Sequence, residues 1–246
     1  IMSMSRTAIS VVILCIGVIT GAGTATRAAE FDLVIRNCRI VDGTGNPWFR
    51  GDLAIKTGDI AAIGRFEGEG EREIDVGGLV VAPGFIDIHS HSDFKILQDG
   101  HAQSKVRQGV TTEILGEGNS AGPYQGKLSP REFTVQGDEL SWTTLGGYFD
   151  VIDKAGVAVN VASYVGLNNV WRSVMGDSFE NPSPGHFEAK KTLVDEAMQD
   201  GALGLSSRVM MAPGSLATTE HIVELCKVVS QHGGIYSTHI RNEGDG

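Results

Sequence analysis

Cysteine is nearly missing: the 246 residues contain three, Cys15, Cys38 and Cys226. Cys15 lacks the small residues before it that a lipid-attachment site needs. Cys38 and Cys226 are too far apart in sequence to form a disulfide framework, and both are expected as buried packing residues. Positive charge is also scarce, with 20 Lys and Arg against 30 Asp and Glu and a formal charge of −10. That balance, with no basic stripe, excludes a nucleic-acid partner. No P-loop, dinucleotide glycine fingerprint or Gly-x-Ser-x-Gly nucleophile elbow occurs. Ser206-Ser207 has no base placed for it, and the run Gly116 to Gly122 reads as a loop rather than a phosphate cradle. The one long apolar run, Ala8 to Thr20, is too short for a firm membrane span. Arg6 precedes it and small residues follow through Ala29, the layout of a secretory signal. Residues 1–29 are therefore expected to be removed after Ala28 or Ala29, leaving a periplasmic or secreted protein with no stable membrane association. The alternative is an uncleaved anchor.

What is present is a globular composition rich in glycine, 33 residues in all. Residues 30–80 are expected to form a small β domain, antiparallel and β-sandwich-like. Phe31 to Arg36 alternates, and Asp52 to Lys56 and Ile60 to Gly64 flank the turn Thr57-Gly58-Asp59. From residue 81 to 246 the pattern becomes strand then helix, repeated. Strands are expected at Phe85 to His91, Thr111 to Leu115, Ala158 to Val165, Ala202 to Ser206 and Ile235 to His239. Helices are expected near Leu145 to Lys154, Gly185 to Gln199 and Thr219 to Gln231. The fold class is α/β, a TIM-type (β/α)8 barrel of which five βα units are present, whereas a closed barrel takes eight units and about 250 residues. The sequence stops directly after the fifth strand and is read as a fragment of a longer reading frame.

Chemistry concentrates in Phe85-Ile-Asp-Ile-His-Ser-His91. Residues two apart on a strand share a face. Phe85, Asp87, His89 and His91 then face the barrel and Ile86 and Ile88 its helices. Chemistry in such barrels sits where the strands end, and two imidazoles there are half of a divalent-metal site. A lone histidine is more often a packing residue. Two of them beside Asp87 and Asp93 put too much polarity in one place for packing alone. His239 holds the matching position on the fifth strand. Glu117, in the loop after the second, can bridge two cations through its two oxygens; the competing reading is a solvated loop carboxylate. Glu113 has the same parity but lies deeper in its strand. Arg241 shares parity with Ser237 and His239 and can bind a substrate carboxylate; the competing reading is a salt bridge at the rim.

These stretches resemble the amidohydrolase superfamily and, within it, the N-acyl-D-amino-acid deacylases (D-aminoacylases). Val81-Ala-Pro-Gly-Phe-Ile-Asp-Ile-His-Ser-His91 is similar to the superfamily's first strand. Gln108-Gly-Val-Thr-Thr112, Asn160 to Gly166, Val174-Met-Gly176, Gly201 to Ser207, Ala212-Pro-Gly214 and Gly233 to Arg241 narrow the likeness to the deacylases. The resemblance implies a zinc hydrolase with one or two ions, His89 and His91 holding one metal position and His239 the other. It implies a small-molecule substrate, an N-acyl-D-amino acid, split into a carboxylate and a D-amino acid. It also implies a further metal histidine and a general-base aspartate, expected beyond Gly246, so the residues in hand are expected to be inactive alone. Glu117 stands where members of the family often have a bridging cysteine. Gly166-Leu167 replaces a frequent Gly-His, and Met211 a frequent Tyr, both near the expected substrate pocket. Alternatives within the superfamily are a cyclic-amide hydrolase of the hydantoinase type, which would want a lysine that Ala202 to Ser207 lacks, or a dipeptidase. An alternative of another class is a non-catalytic metal- or solute-binding relative.

Overall fold

The structure is a computed structural model that describes residues 29–130, 132–135, 137–242 and 244. The expected secretory segment lies outside the described residues. No helix of the described residues is long and apolar enough to cross a membrane. The chain forms two compact units, one up to Pro83 and one from Gly84 on.

The first unit is one five-stranded mixed sheet, not an antiparallel sandwich. Strands β1 (Phe31–Ile40), β2 (Phe49–Lys56) and β3 (Asp59–Gly64) run antiparallel in succession. Strands β4 (Gly70–Asp75) and β5 (Val80–Val81) both pair parallel with β1. The β2–β3 loop needs φ > 0 at both Thr57 (+51°) and Gly58 (+86°). The threonine, a poor residue for that conformation, is held by its backbone N–H donating to Asp32 Oδ2 at 2.6 Å. The alternation of β1 breaks at a register shift between Ile35 and Cys38. Arg36 in that shift meets Asp52 at 3.2 Å and Glu73 at 2.7 Å. Phe31, Val34 and Ala54 make the small core, with Ala62 and Phe66 against it.

The second unit alternates strand and helix. In order come β6 (Phe85–Asp87), α1 (Lys95–Gln98), α2 (Gln103–Val106) and β7 (Val110–Leu115). A hairpin, β8 (Phe133–Val135) with β9 (Asp138–Leu140), precedes α3 (Leu145–Ala155). Then follow β10 (Asn160–Ser163), β11 (Val165–Gly166), α4 (Leu167–Met175), α5 (Pro184–Gln199), β12 (Gly204–Arg208), α6 (Thr219–Gln231) and β13 (Ile235–His239). Strands β6, β7 and β10 pair parallel, as do β11, β12 and β13. The expected third strand is split at Tyr164, whose N–H donates to Leu115 O at 2.9 Å while Ser163 O accepts from Leu203 N at 2.8 Å. One strand thus links two parallel sheets into an arc. The described residues do not close a barrel.

The core lies between the arc and its helices, around Trp171, Tyr148, Leu145, Leu115 and Leu205. The expected apolar outer side of the first strand is not covered: Ile86 is 59% and Ile88 69% exposed. Strand β6 is an edge of the arc, and no described helix packs over those two residues. Helices α5 and α6 start on reciprocal caps. Ser183 accepts from His186 N and His186 Nδ1 accepts from Ser183 N, and Thr218 and His221 repeat the pattern.

Candidate metal centre

Strand β6 stops at Asp87, earlier than the expected His91. There Asp87 Oδ1 accepts from His89 N at 3.2 Å, and Ser90 N still donates to Ile114 O of β7 at 3.0 Å. His89 and His91 therefore sit on an irregular segment just beyond the strand. Their rings still converge, with Nε2 atoms 3.2 Å apart and centroids 5.1 Å apart. Beneath them Lys105 Nζ binds Asp87 Oδ2 at 2.5 Å and Glu113 Oε1 at 3.2 Å, and lies 3.3 Å from Ser90 Oγ. Glu113 is thereby buried in an ion-pair network under the site. Asp87 is held below the usual carboxylate range, first by the Lys105 hydrogen bond. Lys105 was not singled out in the sequence, because nothing in its helical context marks it.

Glu117 is 2% exposed, which excludes the solvated-loop reading. The loop is built around it. Gly116 and Gly118 have φ of +83° and +71°. A β-carbon at Gly116 would collide with Tyr164 O and one at Gly118 with the Arg208 side chain. Ser206 Oγ clamps both ends, donating to Gly116 O and accepting from Gly118 N. Ser237 Oγ donates to Glu117 Oε2 at 3.0 Å. Ser206 and Ser207 are thus structural; the Ser207 hydroxyl lies 2.7 Å from Tyr236 Oη and 2.6 Å from Thr238 Oγ1.

One donor atom from each of His89, Glu117 and His239 lies within 4.8 Å of the others. The His89 and His239 ring centroids are 5.3 Å apart. Three separate strand ends thus deliver a mixed nitrogen and oxygen donor set. The 3.2 Å between the His89 and His91 Nε2 atoms agrees with the roughly 3.3 Å that two nitrogens of a tetrahedral zinc site adopt at Zn–N of about 2.05 Å. The residues fit such an ion. His91 is held below its ordinary pKa, first by loss of water from its crowded ring, then by the charges of His89 and Arg208. The neutral imidazole that results is the ligating form.

Arg241 is placed elsewhere. Strand β13 ends at His239, and the alternation that would carry Arg241 onto the same face ends with it. Its Nη2 donates to Ala217 O at 2.9 Å, in a groove shared with Val223, Cys226 and Tyr236. The arginine beside the ligands is Arg208, whose Cα pairs with that of His239 across the β12–β13 ladder. Its parity with Ser206 was a signal available in the sequence. Leu167 is 1% exposed and belongs to the core, whereas Met211 is 50% exposed and accepts from Arg208 Nη2 at 3.3 Å. A cavity of about 400 Å³ opens beside His91, lined also by Asp93, Phe94, Tyr124 and Asn169.

A parallel βα arc with histidines and a buried carboxylate gathered where its strands end defines an α/β protein with a candidate metal centre. The chain belongs to the amidohydrolase family, whose sequence profile matches residues 72–224. It is similar to a D-aminoacylase of Alcaligenes xylosoxydans xylosoxydans, 37% identical over 87% of this chain and 45% of that protein. The chain therefore spans a little under half the length of that relative. It is also similar to the crystal structure of N-acyl-D-glutamate deacylase from Bordetella bronchiseptica, complexed with zinc and a phosphonate inhibitor. The TM-score is 0.78 at 32% identity, covering 88% of this chain and 46% of that one. An L-hydantoinase from Arthrobacter aurescens is more remote, with a TM-score of 0.57 at 22% identity over 87% of this chain and 41% of that one, a likeness of fold alone.

Proposed function

We propose that this chain carries the metal-binding part of a zinc-dependent N-acyl-D-amino-acid deacylase, and that its arc is part of a (β/α)8 barrel. The observation that carries the reading is the convergence of His89, Glu117 and His239 from three strand ends to within 4.8 Å. The names of the similar proteins, a D-aminoacylase and an N-acyl-D-glutamate deacylase, support the substrate class. His89 and His91 would hold one ion and His239 a neighbouring position, with Glu117 able to span both. When bound, zinc supplies Lewis acidity, lowering the pKa of water toward about 7 and polarising an amide carbonyl. The protein's own residues set the conditions. Ser237 and Ser206 orient Glu117 and its loop, the Lys105–Asp87 pair anchors the segment that carries both histidines, and His91 stays neutral. The N-terminal pattern supports a periplasmic or secreted location.

The test is zinc content and hydrolysis of N-acetyl-D-amino acids by the full-length protein and by Glu117→Ala. We expect one to two zinc ions per wild-type chain, at least one fewer in the variant, and a loss of activity of about 100-fold, equivalent to roughly 2.7 kcal/mol. Unchanged zinc and unchanged activity would remove Glu117 from the site. Zinc without turnover in the wild type would favour a binding relative, and turnover of dihydropyrimidines alone would favour the cyclic-amide reading.

A further inference from the structure

Arg208 is a cation beside the candidate metal centre. It ends β12, the central strand of its sheet, in register with His239. Ser206, two residues earlier and on the same side, reaches the Gly116–Gly118 loop, so Arg208 projects toward the face that carries the metal donors. Its stem lies over Gly118, the neighbour of Glu117, so closely that no side chain fits there. Its Nε is buried and has no hydrogen-bond partner. Its Nη2 meets only the thioether of Met211, at 3.3 Å, a weak acceptor. None of the ion pairs among the described residues includes Arg208.

A guanidinium in that position is costly twice over. A buried N–H without an acceptor forfeits its hydration, and a fixed positive charge next to a cation site opposes the ion the site would hold. An anion placed between guanidinium and metal relieves both. The fork of an arginine matches a carboxylate, which it can grip with two parallel hydrogen bonds.

We propose that Arg208 receives the α-carboxylate of the substrate and so selects N-acyl amino acids over neutral amides. The inference rests on the reading of the site as an N-acyl-amino-acid deacylase. The α-carboxylate is the anion that every such substrate carries, and it sits one carbon away from the scissile amide nitrogen. It must therefore lie close to the metal donors, where Arg208 is. Arg208 is a specificity-determining residue in this account; the metal ligands are untouched.

The experiment compares binding of N-acetyl-D-leucine and its carboxamide, N-acetyl-D-leucinamide, to the zinc-loaded full-length protein by calorimetry, and in parallel KM and kcat for both. The wild type is expected to bind the carboxylate at least about 10-fold more tightly than the carboxamide, the worth of a charge-assisted pair. Arg208→Met is expected to abolish that preference, raising Kd and KM for the carboxylate at least about 10-fold more than for the carboxamide. Arg208→Lys is expected to keep part of the preference, and it retains the stem over Gly118 if the methionine variant folds poorly. A wild type that binds both ligands equally, or variants that weaken both alike, would overturn the proposal. Binding discrimination that depends on Arg208 in a protein that hydrolyses none of N-acetyl-D-leucine, N-acetyl-D-aspartate and N-acetyl-D-glutamate would keep the carboxylate contact and overturn the deacylase reading instead.

Discussion

Lys190 shows how far a single side chain can stand outside the apolar logic of a core. It lies on α5, 1% exposed, its Nζ without a hydrogen-bond partner and 3.1 Å from the centre of the Trp171 ring. Burial pushes its pKa down from 10.5 to about 7. Each pKa unit corresponds to about 1.4 kcal/mol, so folding with this amine charged costs several kcal/mol. The indole face returns roughly 2 of them, so burial wins. The folded pKa is below the unfolded one, so the penalty is complete below about pH 7 and fades as pH rises toward 10.5. Lys190→Met keeps the straight stem and removes the charge. It is expected to stabilise the protein by about 1–3 kcal/mol at pH 7, with the gain shrinking by pH 10. Denaturant melts at both pH values check this; a destabilised variant, or a gain that ignores pH, would refute it. The candidate ligands behave differently. His89, His91 and His239 stood out by parity and position, and the fold brings His89 and His239 together with Glu117. Arg208 was marked in the sequence only by its parity with Ser206, because the missing acceptor at its Nε is visible only in three dimensions.

The longer helices follow from local chemistry. Ser183-Pro184 places a capping hydroxyl and a proline where the first turn of α5 tolerates them, and the helix spans Pro184–Gln199 as its sequence suggests. The cap bonds are long, with His186 N to Ser183 Oγ at 3.3 Å and Ser183 N to His186 Nδ1 at 3.4 Å. Ser183→Ala should therefore cost about 0.5–1 kcal/mol, the lower part of the usual range for a lost cap, read as a lowered midpoint with an unchanged m-value. A cost above about 2 kcal/mol would mean that the hydroxyl does more than cap. Helix α4 and the β8–β9 hairpin escaped the sequence reading for the opposite reason. Helix α4 is set by tertiary bonds: Asn169 accepts from Ser120 N at 3.0 Å and donates to Ser120 O at 2.9 Å. Two adjacent asparagines look like a loop until their partners are known. The hairpin strands are only three residues each, too short for a period to stand out, and Phe133 reaches Phe94 and Trp142 from them.

For the molecule as a whole, two compact units and an open arc of parallel strands set what remains to be tested. The N-terminal pattern, Arg6 before an apolar run that ends in small residues, predicts a mature chain beginning at Ala29 or Glu30. Intact mass of the protein exported from its native host checks this, and a retained residue 1–28 segment would favour the anchor. Composition and periodicity were enough to reveal a strand–helix rhythm and to single out the histidines of the candidate metal centre, because each of these depends on residue type and spacing along one element. The character of the first sheet was not written locally. Nothing within β4 or β5 distinguishes a parallel partner from an antiparallel one, and both chose β1 in parallel. The fate of the carboxylates was not local either. Glu113 and Glu117 lie four residues apart with the same parity, yet one is tied to Lys105 and the other faces His89 and His239. Pairing, burial and charge compensation are contacts between distant residues, here up to 120 positions apart in the case of Ser237 and Glu117. Such contacts exist only once the chain has folded.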